Sequence, residues 1–309
     1  NKERGVYKTT DGGKTWKQTL FVNENSGAVD MVIDPNDANI LYAATWHRER
    51  RAWNFVESGN GSGIYRSTDG GENWTLMTNA DSGFPVGEGV GRIGLSICAD
   101  GTLYAALDNQ FRRPDEEKAE DEGLTEDQLR TMTKEEFLKL EEELIEDFLS
   151  DNGFPEKYSA SKVIKMVKKD EILPIALVEY LEDANSLLFD TPVIGQELYV
   201  TRDGGSTWQR THEDYLDDVS FSYGYYFGQV RVHPTRPYEV YIVGVPILRS
   251  ADGGATFESI NESNVHVDHH ALWVNPNRDG HLINGNDGGI NISYDNGESW
   301  VKCKSPAVG

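Results

Sequence analysis

The residues best equipped for chemistry fall into a few groups. His266, Asp268, His269 and His270 crowd one segment, and Asn286, Asp287, Gly288 and Gly289 follow at the next strand junction. Imidazole and carboxylate in reach of each other could ligate a divalent cation or act as acid and base. Neighbouring residues of a strand point to opposite faces, so His269 and His270 cannot serve one ion. A hydrogen-bonded structural histidine is the simpler reading, and no metal or other cofactor is expected. A second group, Trp46, His47, Arg48, Arg50, Arg51 and Trp53, sits in one loop; a third, Tyr223, Tyr225, Tyr226 and Phe227, sits in another. Aromatic platforms beside guanidinium groups suit sugar rings or peptide chains. Arg92 opens a further apolar strand, and Glu57, Asp268 and Asp287 supply carboxylates that could flank a glycosidic bond.

What must position these groups is a repeat. The pattern Ser/Thr-x-Asp-x-Gly-x-x-Trp occurs as TTDGGKTW over 9–16, STDGGENW over 67–74, TRDGGSTW over 201–208 and SYDNGESW over 293–300, with SADGGATF over 250–257 ending on Phe. Each copy follows a short apolar run. The spacing predicts a strand, a tight turn and a second strand opening on an aromatic that packs back on the same sheet. The carboxylate accepts N–H groups across the turn, and the glycines supply positive φ. Asp11, Asp69, Asp203, Asp252 and Asp295 are therefore expected to be structural.

These stretches resemble the Asp-box, or bacterial neuraminidase repeat, of sialidases, some endoglucanases and sortilin-type receptors. The resemblance implies a β-propeller in which each box joins the outer two strands of a blade. The DHHALW, NGNDGG and GRIGLS segments add a likeness to large secreted bacterial proteins described as sortilin-like or glycosyl-hydrolase-like. Sialidases carry an arginine triad, a Tyr/Glu pair and an Arg-Ile-Pro signature; this signature is absent, so sialidase activity is not expected.

The strands follow the same logic. Four-stranded antiparallel meanders are expected over 28–77, from 91 to the third box, over 229–259 and over 271–303, preceded by half a blade in 1–20. About four and a half blades leave the ring incomplete, so the chain is expected to be a portion of a longer propeller. Between Gln110 and Gly195 the pattern turns helical: Leu124 to Leu149 with a capping box at Thr133 and Glu136, Ser159 to Lys169, and Pro174 to Asn185. The expected division is propeller over 1–110, helical insertion over 111–195, and the same propeller over 196–309.

A net charge of −23 argues against nucleic acid and anionic membrane surfaces as partners. No apolar run is long enough to span a membrane. The cysteines, Cys98 and Cys303, belong to different repeats and are not expected to pair. Boxes and the turns between first and second strands share one face, and the long loops share the other. On that elaborated face the expected contacts are Trp46, His47, Arg92, Tyr225, Tyr226, Asp268, His269 and Asp287. The expected function is a secreted, cell-surface or periplasmic binding or scaffold module for carbohydrate or a protein segment. The alternatives are a xyloglucanase-like glycoside hydrolase and a helper of protein secretion or surface assembly.

Overall fold

The computed structural model describes residues 1–51, 54–113, 123–155, 157–181, 193–217, 219–220 and 224–304. Trp53, Tyr223, residues 182–185 of the last expected helix and the 305–309 tail lie outside them. The chain divides into two compact units, 1–112 with 192–309, and 113–191.

The first unit is a series of antiparallel sheets. A half-blade pairs β1 (Val6–Lys8) with β2 (Lys17–Leu20). The first full blade runs β3 (Ser26–Ile33), β4 (Leu41–His47), β7 (Gly63–Ser67) and β8 (Thr75–Leu76), and the hairpin β5 (Glu49–Arg51) with β6 (Asn54–Val56) lies inside its second-to-third connection. The sequence reads that connection as a plain loop, but β4 continues through Trp46 and His47 before the hairpin begins. The second blade joins β9 (Val90–Ile97), β10 (Leu103–Arg112), β11 (Val193–Thr201) and β12 (Gln209–Arg210). The third has β13 (Gln229–His233), β14 (Arg236–Val243), β15 (Ile247–Ser250) and β16 (Glu258–Ser259). The fourth has β17 (His269–Val274), β18 (Leu282–Asn286), β19 (Gly289–Ser293) and β20 (Val301–Lys302).

Successive blades pack through their inner strands, β3 on β9, β9 on β13 and β13 on β17. Apolar runs such as Leu103–Leu107 are wholly buried because both faces of an inner sheet meet a neighbouring blade. Polar stitches fix the stack. Asp30 Oδ2 accepts from Leu95 N at 2.9 Å, and Ser96 Oγ accepts from Val232 N at 2.9 Å.

The boxes behave as the residue types dictate. In the fourth, Ser250 Oγ donates to Asp252 Oδ1 at 2.7 Å, Ala255 N and Thr256 N donate to the same oxygen at 3.0 Å, and Thr256 Oγ1 donates to Oδ2 at 2.7 Å. Gly253 and Gly254 hold φ of 79° and 93°, a region closed to most side chains. In the fifth box Asn296 takes the first of these places at φ 61°, as asparagine can. Box turns touch the turns between first and second strands. Gly70 N donates to Asn39 O at 2.9 Å, Gly253 N to Tyr238 O at 2.7 Å and Asn296 N to Gly280 O at 3.0 Å. The boxes and these turns thus share one face.

One expectation needs correction. The box tryptophans do not pack only on their own sheet. Trp74 Nε1 donates to Thr19 Oγ1 of the half-blade at 3.3 Å, and Trp300 Nε1 donates to Ile260 O at 2.9 Å, at the end of the preceding blade. Trp208 lies in a cluster with Tyr42 and Ile64 of the first blade. A ring at the start of an outer strand bridges to the neighbouring sheet, so the motif joins blades as well as closing a turn.

Hydrogen bonds from the Thr256 hydroxyl and N–H, foremost, hold the Asp252 carboxyl at about 2. Stability from such a carboxylate is present above its unfolded value of about 4 and is lost as pH falls below it. Asp252→Ala should cost about 1–2 kcal/mol in chemical denaturation at pH 7, because the freed donors sit where water can reach them. A cost near zero would show that the glycines alone hold the turn.

The second unit is helical. It contains α1 (Glu126–Thr131), α2 (Lys134–Phe137), α3 (Glu142–Asp151), α4 (Ala160–Lys168) and α5 (Ile175–Leu181). The Thr133–Glu136 capping box forms, and a second one at Thr125–Gln128 starts α1, so the segment 124–149 is broken into three short helices. Leu129, Phe137, Ile145, Val163, Val167 and Val178 are fully or almost fully buried in a core of its own.

Candidate functional site

The face opposite the boxes carries the starts of the first strands and the ends of the second ones. Trp46, near the end of β4, is only 7% exposed, and its Nε1 donates to Glu57 O at 2.6 Å. The Arg48 guanidinium lies 4.9 Å from its ring centroid and the Arg92 guanidinium 5.9 Å. Arg92, on β9, reaches the next blade, where Nη1 donates to Tyr225 O at 3.0 Å and Tyr226 O at 3.1 Å. Burial lowers its pKa. Tyr225 meets Phe55 of the β5–β6 hairpin edge-on at 4.7 Å. Tyr226 is 60% exposed and touches Tyr225, Phe227 and His270 with centroids 6.2, 5.8 and 5.4 Å away. His270 stacks on Phe227 at 5.6 Å, and its Nε2 meets Asp287 Oδ1 at 2.9 Å. One continuous surface therefore runs from the first blade to the fourth. Beside Trp46 opens a cleft of about 540 Å³, lined among others by Tyr7, Gly27, Arg48 and Arg50.

Of the eight expected contacts, Trp46, Arg92, Tyr225, Tyr226 and Asp287 meet in this chain of contacts. Trp46 is its foundation, too buried to form an open platform. His47 turns to Ser26, with Nδ1 3.5 Å from Oγ. Asp268 enters through its backbone, accepting from Asp287 N at 3.3 Å, at a positive φ of 63°. His269 is fully buried between Asn261 Oδ1 at 2.6 Å and Asn284 Nδ2 at 2.8 Å. Burial, foremost, lowers its pKa to about 4, so it is neutral at pH 7. It is a core histidine, and its neighbour His270 faces the surface, as strand alternation requires.

The sequence reading missed Asp108. It ends the apolar run of β10 and is wholly buried. Oδ1 accepts from Gln110 Nε2 at 2.7 Å, while Oδ2 has no hydrogen-bond partner among the described residues. Gly224 lies against the carboxylate so closely that a Cβ there would sit 2.0 Å from Oδ1. Burial pushes the carboxyl up to about 7, against the opposing pull of Gln110 and Arg92. Half-buried Glu57 has an unpartnered Oε2 and is also pushed up to about 7, first by burial and then by the charge of Asp108. Two carboxyls that feel each other and titrate near neutrality thus lie beneath the aromatic surface. The only signal in the sequence was a carboxylate closing an otherwise apolar strand. Among the described residues no cluster of three or more His, Cys, Asp or Glu is arranged to hold a metal. Cys98 and Cys303 are both free, and no described helix is long and apolar enough to cross a membrane.

The BNR/Asp-box repeat family matches residues 65–76. No curated protein matches the chain. Among solved structures, an ancestral GH74 enzyme aligns with a TM-score of 0.50 at 14% identity, covering 100% of this chain and 29% of that one. YCF48 from Cyanidioschyzon merolae aligns at 0.43 and 12% identity, over 96% of this chain and 62% of its own. A Hadza microbial sialidase aligns at 0.42 and 14%, over 92% and 47%. The chain thus spans less than a third of the GH74 enzyme's length, and that likeness concerns the fold. With its boxes, its four-stranded blades and an incomplete ring of them, this chain is an Asp-box β-propeller.

Proposed function

We propose that this propeller is a secreted or cell-surface binding module that takes a carbohydrate or a protein segment on the face opposite its boxes. The observation that carries the reading is Tyr226: a ring mostly open to solvent, flanked by Tyr225, Phe227 and His270, on a backbone clamped by Arg92. A platform held by its second layer binds without a large ordering cost. The Tyr226 ring offers a face to the C–H side of a sugar or an apolar side chain, and the exposed His270–Asp287 pair offers hydrogen bonds to hydroxyl or amide groups. Screening against plant and algal polysaccharides and peptide arrays, followed by calorimetry, tests it. Tyr226→Ala should weaken the ligand found by at least about tenfold, or about 1.4 kcal/mol, with the melting temperature unchanged. Unchanged affinity would remove Tyr226 from the site.

A second reading, glycoside hydrolysis, is favoured by Glu57 and Asp108. Carboxyls titrating near 7 are suited to give and take protons at neutral pH. Glu57, the more accessible, would act as acid and Asp108 would tune it. Release of reducing ends from xyloglucan or related polysaccharides, abolished by Glu57→Gln with binding retained, would support this reading. Absence of turnover across the panel would dismiss it.

A further inference from the structure

The helical unit has a surface of a different kind. Phe154, Tyr158, Val163, Met166, Leu177 and Tyr180 line an apolar hollow of about 130 Å³. Ligand sites for drug-sized molecules run to about 300–1,000 Å³, so this one has room for a single bulky side chain. Its rim is aromatic: Tyr180 stacks on Phe154 at 4.7 Å, meets Tyr158 edge-on at 5.9 Å, and is 51% exposed. Nearby Leu173 is 59% exposed.

One stretch beside the hollow is basic in an acidic chain, bounded by Glu156 on one side and by Asp170 and Glu171 on the other. Lys157, Lys162, Lys165, Lys168 and Lys169 occur within thirteen residues that contain no Asp or Glu, in a protein of net charge −23. All five are exposed. The Lys157 and Lys162 ammonium groups lie 4.8 and 5.6 Å from the Tyr158 centroid, which places them at the mouth. Lys162 lies one turn before Met166 of the lining on the same face of α4. Among the described residues the ion pair found for this group is Lys169 with Glu171, at 3.7 Å. A basic amphipathic helix also suits a lipid surface. Here, though, the apolar side of α4 is already spent, with Ala160, Val163 and Val167 buried in the unit's own core.

We propose that this hollow is a docking site for an acidic linear peptide segment of a partner protein, anchored by one aromatic or large aliphatic side chain among the Tyr158, Met166 and Tyr180 side chains. The lysines steer the acidic segment and hold its carboxylates, and the anchor supplies the desolvated contact. The site lies wholly within the helical unit and is independent of the function proposed for the propeller face.

The test uses the whole chain and a fluorescein-labelled twelve-residue peptide of Glu, Asp, Ser and Gly with one central Trp. The expected result is saturable binding by fluorescence polarisation. Replacing the Trp by Ala in the peptide, or making Lys162→Glu with Lys165→Glu in the protein, should each weaken binding at least about tenfold. Ala176 also lines the hollow, and Ala176→Leu, which narrows it, should weaken binding without altering the charge. Melting curves check that each variant folds. Should the lysine variant not fold, raising salt on the parent chain replaces it, and binding must then fall as the charges are screened. Tyr226→Ala should leave the peptide affinity unchanged. No binding, equal binding of the Trp-free peptide, or binding to phosphatidylserine vesicles in place of the peptide would each overturn the proposal.

Discussion

Asp108→Asn should melt at a higher temperature than the parent chain at pH 8, and the advantage should shrink to nothing by about pH 4. The Asp108 carboxyl is wholly buried, and burial pushes it up to about 7. Its folded value lies above its unfolded one, so its contribution to stability is full below about pH 4 and is lost as pH rises through 7. A carboxyl moved from about 4 to about 7 carries about 4 kcal/mol between its two protonation states. The amide has the neutral group's shape and keeps an oxygen for Gln110, but it never ionises. At pH 8 the gain should be on the order of 2–4 kcal/mol, the attraction to Arg92 being already contained in the value of about 7. The comparison must be the difference between variant and parent at each pH. Below pH 4 the box carboxylates, held low in the fold, weaken both proteins together. An offset equal at pH 4 and pH 8 would mean that Asp108 is not the titrating group.

The largest loss of stability is expected at Trp46→Ala, about 3–5 kcal/mol in denaturant unfolding. Trp46 is 7% exposed, is flanked by two guanidinium groups and donates to the Glu57 carbonyl. Removing it opens a cavity at the first blade, leaves that carbonyl without its donor and takes away the surface on which Arg48 and Arg92 rest. Ligand binding would then fail through the fold. Trp46→Phe separates the two roles: it keeps most of the packing and should recover more than half of the loss. If Trp46→Ala cost less than about 1 kcal/mol, Trp46 would belong to the ligand surface after all.

These residues mark how far the sequence could be read. The boxes were legible because a carboxylate, a positive-φ pair and an aromatic at fixed spacing have few other uses. The blades followed from apolar runs between turn signals. The face bearing long loops was legible too, since the boxes define the other one. Side-chain direction on that face was not. A run such as Trp46-His47-Arg48 says that an aromatic and two basic groups are close in sequence. It does not say that β4 extends past Thr45 and turns Trp46 inward. His269 and His270 could be split by alternation, but which of the two faces in depends on Asn261 and Asn284, which sit eight residues before His269 and fifteen after it. Asp108 left one faint signal, and its burial was hidden for a related reason. Its environment is made by Gly91, where a Cβ would sit 2.9 Å from Oδ2, by Gly224 and by Glu57, drawn from three separate stretches of chain, and burial is a property of all of them at once.

The outer strands β8, β12, β16 and β20 contain only two residues each. Three of them carry a charge, from Arg210, Glu258 and Lys302. Such a rim offers a foreign strand too short a row of backbone groups to template a pairing, and it sets a charge where the pairing would begin. Each blade therefore ends in a blunt margin, and crowded copies of the protein have little backbone on which to zip together along these outer edges.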